Sequence, residues 1–270
     1  MEPIRTEENE IENEIVKEHE VSLFVRYLPV VIIAVIAFGA IVCAGVFMGR
    51  EAVMTAAMAA TAIPAVILLA YIYHSDSIEP EPPGLLFALF LLGLLVSLPV
   101  MGLRWGIRHI PSATAVIVLI AISEELCKYL VLRLITWKHS AFNYRFDGVV
   151  YGATVAIGFE IAEAVLYLSS GMDRAILSRS VIPVHCIFGI YMGFFYGQAR
   201  AKAHHGEKGD AVFMEIVSVI FPIVLHYTYE MLTSRPRSIT TTVLFVVFII
   251  ALNAAAWISV HRFAKEDSEF

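Results

Sequence analysis

The sequence has 270 residues, of which 59% are hydrophobic and 16% are charged. Soluble globular domains average about 45–50% apolar and about 25% charged residues, so the composition indicates a membrane protein. The formal net charge of −6 equals that of residues 1–20, which carry eight glutamates against Arg5 and Lys17. The remaining residues carry 17 acidic and 17 basic side chains, a balance that argues against a nucleic-acid-binding protein.

Apolar stretches long enough to cross a bilayer, which takes about 20 residues, follow one another along most of the chain. Five of them are almost free of charge: 27–49, 52–73, 82–103, 181–199 and 238–260. Three more contain ionisable residues and cover roughly 112–136, 146–169 and 212–233. Because a backbone in lipid must satisfy its own hydrogen bonds, we predict an all-α, polytopic membrane protein with about eight transmembrane helices.

The chain is expected to have three parts. These are an acidic cytoplasmic tail (1–21), an eight-helix membrane domain (22–263) with its functional core in 112–233, and a short C-terminal tail (264–270). The prolines of DSIEPEPPG (76–84) predict a loop there. With a cytoplasmic N-terminus, eleven lysines and arginines lie in cytoplasmic segments and seven on the other side. The positive-inside rule then places both termini of this multi-pass protein of the cell membrane in the cytoplasm.

Ionisable residues within apolar segments are the main functional signal, because each costs about 2.5–3.5 kcal/mol to insert at the bilayer centre. The segment at 112–136, the fourth along the chain, contains Glu124, Glu125 and Lys128. Glu124 and Lys128 are four residues apart, which predicts an ion pair between them. Glu125 lies on another side of the helix. A second adjacent carboxylate is typical of an acid–base site rather than of a structural ion pair.

The next three segments contribute further ionisable residues, namely Asp147, Glu160, Glu163, His185, His226 and Glu230. Asp147 opens its segment and is expected to cap the helix. At about 1.5 Å per residue, Glu124, Glu163, His185 and His226 fall roughly 8–18 Å from one membrane face. These depths predict a single polar pocket that opens to one side of the membrane.

Small residues recur at four-residue intervals in two of these segments. Gly148, Gly152 and Ala156 form one stripe, and Gly189 and Gly193 continue a second stripe that starts at the first histidine. Small side chains let helix backbones approach closely. We therefore expect a neighbouring helix to pack closely on each stripe, with the histidine of the second stripe pointing into its contact.

Glutamates and histidines in a dry pocket suit the activation of water in two ways. Histidine and glutamate can hold a metal ion that lowers the pKa of its bound water. Alternatively, a glutamate base acts without metal while histidine donors stabilise the oxyanion. The sequence lacks the HExxH pattern of zinc proteases. It also lacks the GxGD and GxSxG patterns, which argues against aspartyl intramembrane proteases and serine hydrolases. A proton- or ion-coupled transporter, disfavoured by the lack of an internal repeat, and a non-catalytic membrane scaffold are the alternatives.

The motifs in their order resemble the PrsW family of prokaryotic intramembrane proteases, which is related to the CAAX prenyl protease superfamily. They are EExxK at 124–128, DGxxYG at 147–152, the FxxxE that ends at Glu163, then His185 and His226, with an acidic loop IEPEP at 78–82. The resemblance covers about 71–232. It implies an intramembrane endopeptidase that cleaves membrane-anchored substrates, such as an anti-sigma factor or a similar single-span protein.

Carried over residue by residue, the resemblance assigns catalytic roles to Glu124, Glu125, Lys128, Glu163, His185 and His226, with Glu160, Glu230 and Asp147 in support. In the metal version, Glu163, His185 and His226 would hold the ion, with zinc as the candidate; the metal-free version stays open. Lipid and a single-span membrane protein are the expected partners, and nucleic acid is not.

The sequence departs from the family pattern at two positions. Ala164 and Glu230 stand where the family usually has asparagine. A carboxylate accepts hydrogen bonds and donates one only when it is protonated. An oxyanion-binding role inherited from the second asparagine is therefore in doubt. Glu230 either orients His226 instead or marks a variant subfamily.

Overall fold

The computed structural model describes residues 27–49, 52–76, 78–170, 183–234 and 238–270. These residues form eight helices, which are α1 (Tyr27–Phe47), α2 (Ala52–Ser75), α3 (Pro83–Ile107), α4 (Ala113–Thr136), α5 (Asp147–Ser170), α6 (Val184–His204), α7 (Lys208–Thr233) and α8 (Ile239–Lys265). Within these ranges the only extended pairing is an isolated bridge between Tyr144 and Glu269. The prediction of an all-α protein is confirmed, and the acidic tail 1–21 lies outside the described residues.

Five of the described helices are long and apolar enough to cross a membrane, namely α1, α3, α5, α7 and α8. Helix α4 has 24 residues but carries Glu124, Glu125 and Lys128 in its middle turns. All three side chains are buried inside the protein. Charges that face protein rather than lipid are the usual arrangement for ionisable groups in membrane helices. The described helices overlap the predicted segments, but by length and composition five of them, not eight, qualify as membrane spans.

Helix α5 occupies the centre of the bundle. It packs against α2, α3, α4 and α6, and 72% of its most apolar stretch is buried inside the protein. A Cβ atom added to Gly152 would lie 2.3 Å from the carbonyl oxygen of Gly189 on α6. One added to Gly158 would lie 2.1 Å from the carbonyl oxygen of Phe90 on α3. The predicted close packing on the glycine stripes is confirmed, and the structure adds that the two stripes pack on each other and that a second close contact joins α5 to α3.

Helix α3 is longer than the sequence analysis predicts. The predicted segment ends at residue 103, whereas the helix continues to Ile107. Arg104 is one of the seven basic residues that the sequence analysis assigns to loops on the far side of the membrane, yet it lies in the last turn of α3. That assignment was wrong, because an arginine directly after an apolar stretch reads as its end even when the helix continues.

The residues that follow α8 contact the loop between α4 and α5. The Phe270 N–H donates to the Asn143 carbonyl at 3.1 Å, and the Arg145 N–H donates to the Ser268 carbonyl at 3.3 Å. The ring of Phe270 packs edge-on against Phe142 with 5.6 Å between centroids. These contacts tie the C-terminal residues to the end of the bundle where α5 begins.

Candidate active site

The six residues assigned catalytic roles come together in the middle of the bundle. Each is buried, and they are Glu124, Glu125 and Lys128 on α4, Glu163 on α5, His185 on α6 and His226 on α7. Both adjacent glutamates have no solvent-exposed surface. Four helices thus converge on one pocket, as the depth argument anticipates.

One oxygen of Glu125 joins α4 to α7. The Lys128 Nζ atom donates to Glu125 Oε1 at 2.6 Å, and His226 Nδ1 lies 2.7 Å from the same oxygen. The predicted ion pair between Glu124 and Lys128 was therefore wrong. Residues three apart on a helix share a face as well as residues four apart. The histidine from α7 lies beside the nearer glutamate, so Lys128 and His226 bind the same carboxylate.

His185 is held through both of its ring nitrogens. Its Nδ1 lies 3.1 Å from Lys128 Nζ, and its Nε2 lies 2.8 Å from Glu163 Oε2. An ammonium group only donates hydrogen bonds, so Nδ1 is the acceptor and Nε2 carries the hydrogen that Glu163 accepts. Glu163 and Lys128 together fix the orientation and the tautomer of this imidazole.

Arg104 is a member of the cluster that the sequence analysis missed. Its Nη2 atom donates to Glu124 Oε1 and, at 2.9 Å, to Glu163 Oε1. The sequence contained an indirect signal, since the predicted pocket held several carboxylates and only one lysine. Buried carboxylates are stable only when cations compensate their charge. Arg104, which directly follows the predicted segment 82–103, could have been considered as such a cation.

Two of the three supporting residues lie near the pocket. Glu160 Oε2 accepts the backbone N–H of Cys186 at 3.2 Å, so it caps the first turn of α6 next to His185. Glu230 Oε1 lies 3.9 Å from His226 Nε2, which is close but beyond hydrogen-bond distance.

Asp147 lies at the opposite end of α5, about 24 Å along the helix from Glu163. Its Oδ2 accepts the backbone N–H groups of Asn143 at 2.9 Å and Tyr144 at 2.7 Å. It therefore secures the preceding loop, whereas capping of the first turn of α5 was expected. The structure does not bring Asp147 into the pocket.

Three buried atoms in the pocket have no hydrogen-bond partner among the described residues. They are Glu124 Oε2, Glu125 Oε2 and His226 Nε2. Glu124 Oε2 lies 3.7 Å from His226 Nε2. Buried polar atoms in folded proteins nearly always have a partner. The Glu124 oxygen and the His226 nitrogen thus face each other, and both are available to bind a water molecule or a metal ion.

Aromatic side chains enclose the polar groups. Phe188 stacks on His226 with 5.2 Å between ring centroids, and Phe159 lies edge-on to His185 at the same separation. Lys128 Nζ lies 5.0 Å from the centroid of Phe159. Apolar walls of this kind exclude bulk water and strengthen the electrostatic interactions inside the pocket.

The ligand atoms of one residue triad are close enough to bind a single metal ion. One atom each from Glu124, His185 and His226 lies within 4.8 Å of the others. This triad shares both histidines with the set proposed from the sequence, and it contains Glu124 where that set contains Glu163. Two imidazoles and a carboxylate form a common ligand set for a catalytic zinc ion.

An all-helical protein whose apolar helices enclose glutamates, histidines and a lysine belongs to the class of membrane-embedded enzymes that activate water. Comparison with known proteins narrows this class. Residues 81–255 match the sequence model of the PrsW family intramembrane metalloproteases. The chain belongs to the PrsW family and is an intramembrane protease.

Individual relatives agree with the family assignment. The chain is 32% identical to Protease PrsW of Oceanobacillus iheyensis over 209 residues, which cover 74% of this chain and 94% of the relative. It is 30% identical to Protease PrsW of Bacillus subtilis over 73% of this chain and 91% of the relative. It is 34% identical to Protease PrsW of Geobacillus kaustophilus over 66% of this chain and 80% of the relative. No solved structure matches the chain significantly.

Proposed function

We propose that this protein cleaves membrane-anchored substrates by using Glu124 as the base that activates water. The observation that carries the proposal is the buried Glu124 Oε2 atom, which has no hydrogen-bond partner in the described part of the chain and lies 3.7 Å from His226 Nε2. A base must be within hydrogen-bond reach of the proton it takes, directly or through one water. A water molecule beside Oε2 would meet this requirement and would also touch the imidazole.

The geometry supports a division of labour between the two adjacent glutamates. Glu124 removes a proton from water, the hydroxide forms a bond to the scissile carbonyl carbon, and the carbon–nitrogen bond then breaks as Glu124 returns the proton to the leaving amine. Glu125 binds His226 Nδ1 at 2.7 Å and so orients the imidazole, whose Nε2 faces the reacting atoms. His226 stabilises the oxyanion as a donor when Nε2 is protonated.

The residues fit a divalent metal ion as well. Glu124 Oε2 and His226 Nε2, which have no hydrogen-bond partner among the described residues, are free to bind a metal ion. The carboxylate on His226 Nδ1 is the usual outer partner of a metal-binding histidine. His185 would supply the third donor by releasing Lys128 or Glu163, which now occupy its nitrogens. A bound zinc ion would polarise the carbonyl and acidify water.

The substrate is proposed to be a single-span membrane protein, of which an anti-sigma factor is one example. The described helices α2, α4 and α6 alternate with helices that qualify as spans. We propose eight crossings of the cell membrane, with both termini in the cytoplasm. Reactivity of single cysteines placed at 138 and at 110 towards a membrane-impermeant reagent tests this topology, since the two should be labelled from opposite sides.

The decisive experiment reconstitutes the protein in liposomes with a tagged single-span substrate and follows cleavage. Glu124→Gln keeps the size of the side chain and removes the base, so cleavage should fall by about 10²–10⁴-fold. Glu215→Gln is the matched control, because this carboxylate on α7 pairs with Arg133 outside the pocket. Cleavage by Glu124→Gln at the wild-type rate would overturn the proposal.

The metal is tested separately on the same preparations. If the ion is part of the site, purified wild-type protein should contain about one zinc per chain and His226→Ala should contain much less. Wild-type protein that cleaves at full rate after chelation, with no metal detected, would exclude the metal version and leave the metal-free one.

A further inference from the structure

We propose that Arg104 is a positioning residue of the active site, which aligns Glu124 for catalysis and links it to the Glu163–His185 pair. This inference rests on the proposed function of Glu124. It adds helix α3 to an active site whose motifs all lie on α4 to α7.

Arg104 binds the carboxylates of Glu124 and Glu163 through equivalent oxygen atoms. Each presents Oε1 to the guanidinium group. The Oε2 atoms are thereby directed to the inside of the pocket, where that of Glu163 binds His185 at 2.8 Å and that of Glu124 faces His226 at 3.7 Å. A carboxylate held at one oxygen has its second oxygen fixed in direction, so the guanidinium determines which way the base of the reaction points.

The position of Arg104 at the end of α3 makes this contact possible. Helix α3 packs on both α4 and α5, which carry the two carboxylates. The glutamate side chains are 0% and 8% exposed, whereas that of Arg104 is 26% exposed. Arg104 therefore lies between the buried acids and the outside of the bundle, and it compensates charges that burial would otherwise make very costly.

Both bonds end on the same nitrogen, Nη2. A lysine carries the same charge on a single nitrogen, but its side chain is shorter and reaches the two oxygens less well. Alanine removes the charge and the contact together. The series arginine, lysine, alanine therefore grades the positioning of Glu124 without changing the base itself.

The test measures kcat and KM of reconstituted Arg104→Lys and Arg104→Ala. Displacement of a catalytic group by about 1 Å costs on the order of 100-fold in rate. We expect Arg104→Ala to lower kcat by about 10–100-fold with KM changed by less than about threefold, and Arg104→Lys to be intermediate. Added guanidinium ions, which can reach this partly exposed position, should restore part of the kcat of Arg104→Ala, an effect that repair of folding would not produce.

Arg108 provides the matched control, because it lies one turn further along and stacks 4.4 Å over the ring of Trp105. Arg108→Ala should cleave at the wild-type rate and show no response to guanidinium. If Arg104→Ala fails to fold, Arg104→Lys carries the test through its kcat.

The proposal is overturned if Arg104→Lys and Arg104→Ala both retain wild-type kcat, if only KM rises, or if guanidinium leaves a folded Arg104→Ala unchanged. Glu124→Gln is assayed in parallel. Full activity of Glu124→Gln would refute the function proposed for the pocket, whereas an inactive Glu124→Gln beside fully active Arg104 variants would refute only the role of Arg104.

Discussion

His226 and Lys128 share one oxygen of Glu125, at 2.7 Å and 2.6 Å, respectively. The two adjacent glutamates are therefore not equivalent. Each has its Oε2 atom without a partner among the described residues. With its other oxygen, Glu125 holds a histidine and a buried cation, whereas Glu124 binds Arg104. Stability and activity should separate when the two positions are changed.

Glu125→Gln should destabilise the protein by about 3–5 kcal/mol, because Lys128 would keep a buried charge without its carboxylate. Thermal unfolding in detergent measures this effect. The double variant Glu125→Gln/Lys128→Met should recover most of the stability and none of the activity, since His226 would still lack its orienting carboxylate. A Glu125→Gln variant as stable as wild type would show that this ion pair contributes little.

The cap on α6 provides a second prediction. Glu160 accepts the N–H of Cys186 in the first turn of α6, beside His185. A carboxylate at a helix N-terminus contributes about 0.3–1 kcal/mol, and up to about 2 kcal/mol when partly buried. Glu160→Ala should lower the unfolding free energy by about this amount and reduce kcat, whereas Glu160→Gln, which keeps an acceptor oxygen, should lose less of both. Equal losses in the two variants would contradict the capping role.

Packing of α5 on α6 should be intolerant of even one methyl group. A Cβ atom at Gly189 would lie 2.4 Å from the carbonyl oxygen of Gly152, and one at Gly152 would lie 2.3 Å from that of Gly189. Gly152→Ala and Gly189→Ala should each cost about 1–3 kcal/mol or more, because backbone atoms cannot turn aside as a side chain can. Gly102→Ala on α3 is the control, since its Cβ would meet nothing within 4 Å. Its unfolding temperature should be unchanged or higher.

A pH effect is expected at the loop between α2 and α3. Burial, and then the nearby carboxylate of Asp147, raise the pKa of Glu81 to about 10, and Tyr151 donates its hydroxyl hydrogen to Glu81 Oε2 at 2.5 Å. The folded protein keeps this proton over a pH range in which the unfolded chain has released it. The stability that Glu81 contributes is therefore complete below pH 4.5 and is lost progressively as the pH rises towards 10.

Glu81→Gln removes the proton exchange, so its unfolding temperature should fall less steeply than that of wild type between about pH 5 and pH 10. Glu79→Gln is the matched control in the same loop, because this side chain is exposed and accepts a hydrogen bond from the Asn143 amide at 3.2 Å. A slope unchanged by Glu81→Gln would mean that Glu81 is ionised in the folded protein.

The sequence predicts the members of the site better than their pairings. Charges that survive in apolar segments have few explanations other than function, so Glu124, His185 and His226 stand out without any structure. The partner of Lys128 was not predictable, since helix geometry allows both neighbours and the choice depends on where α7 places its histidine. Arg104 was missed because its role depends on the last turn of a helix, and helix ends are the least certain part of a prediction from sequence.

The central position of α5 affects how the protein is made. The most apolar stretch of α5 has a mean hydropathy of 1.7, well below the 3.0 of α1. Neighbouring helices therefore surround α5 more favourably than lipid alone does. During synthesis α5 leaves the ribosome before α6, at a time when Gly152 has no helix to pack on and Glu163 has no imidazole to bind. We therefore expect the newly made helix to stay near the insertion machinery until α6 arrives. Because His226 enters later still, with α7, the proposed active site stays incomplete until insertion of the chain is nearly finished.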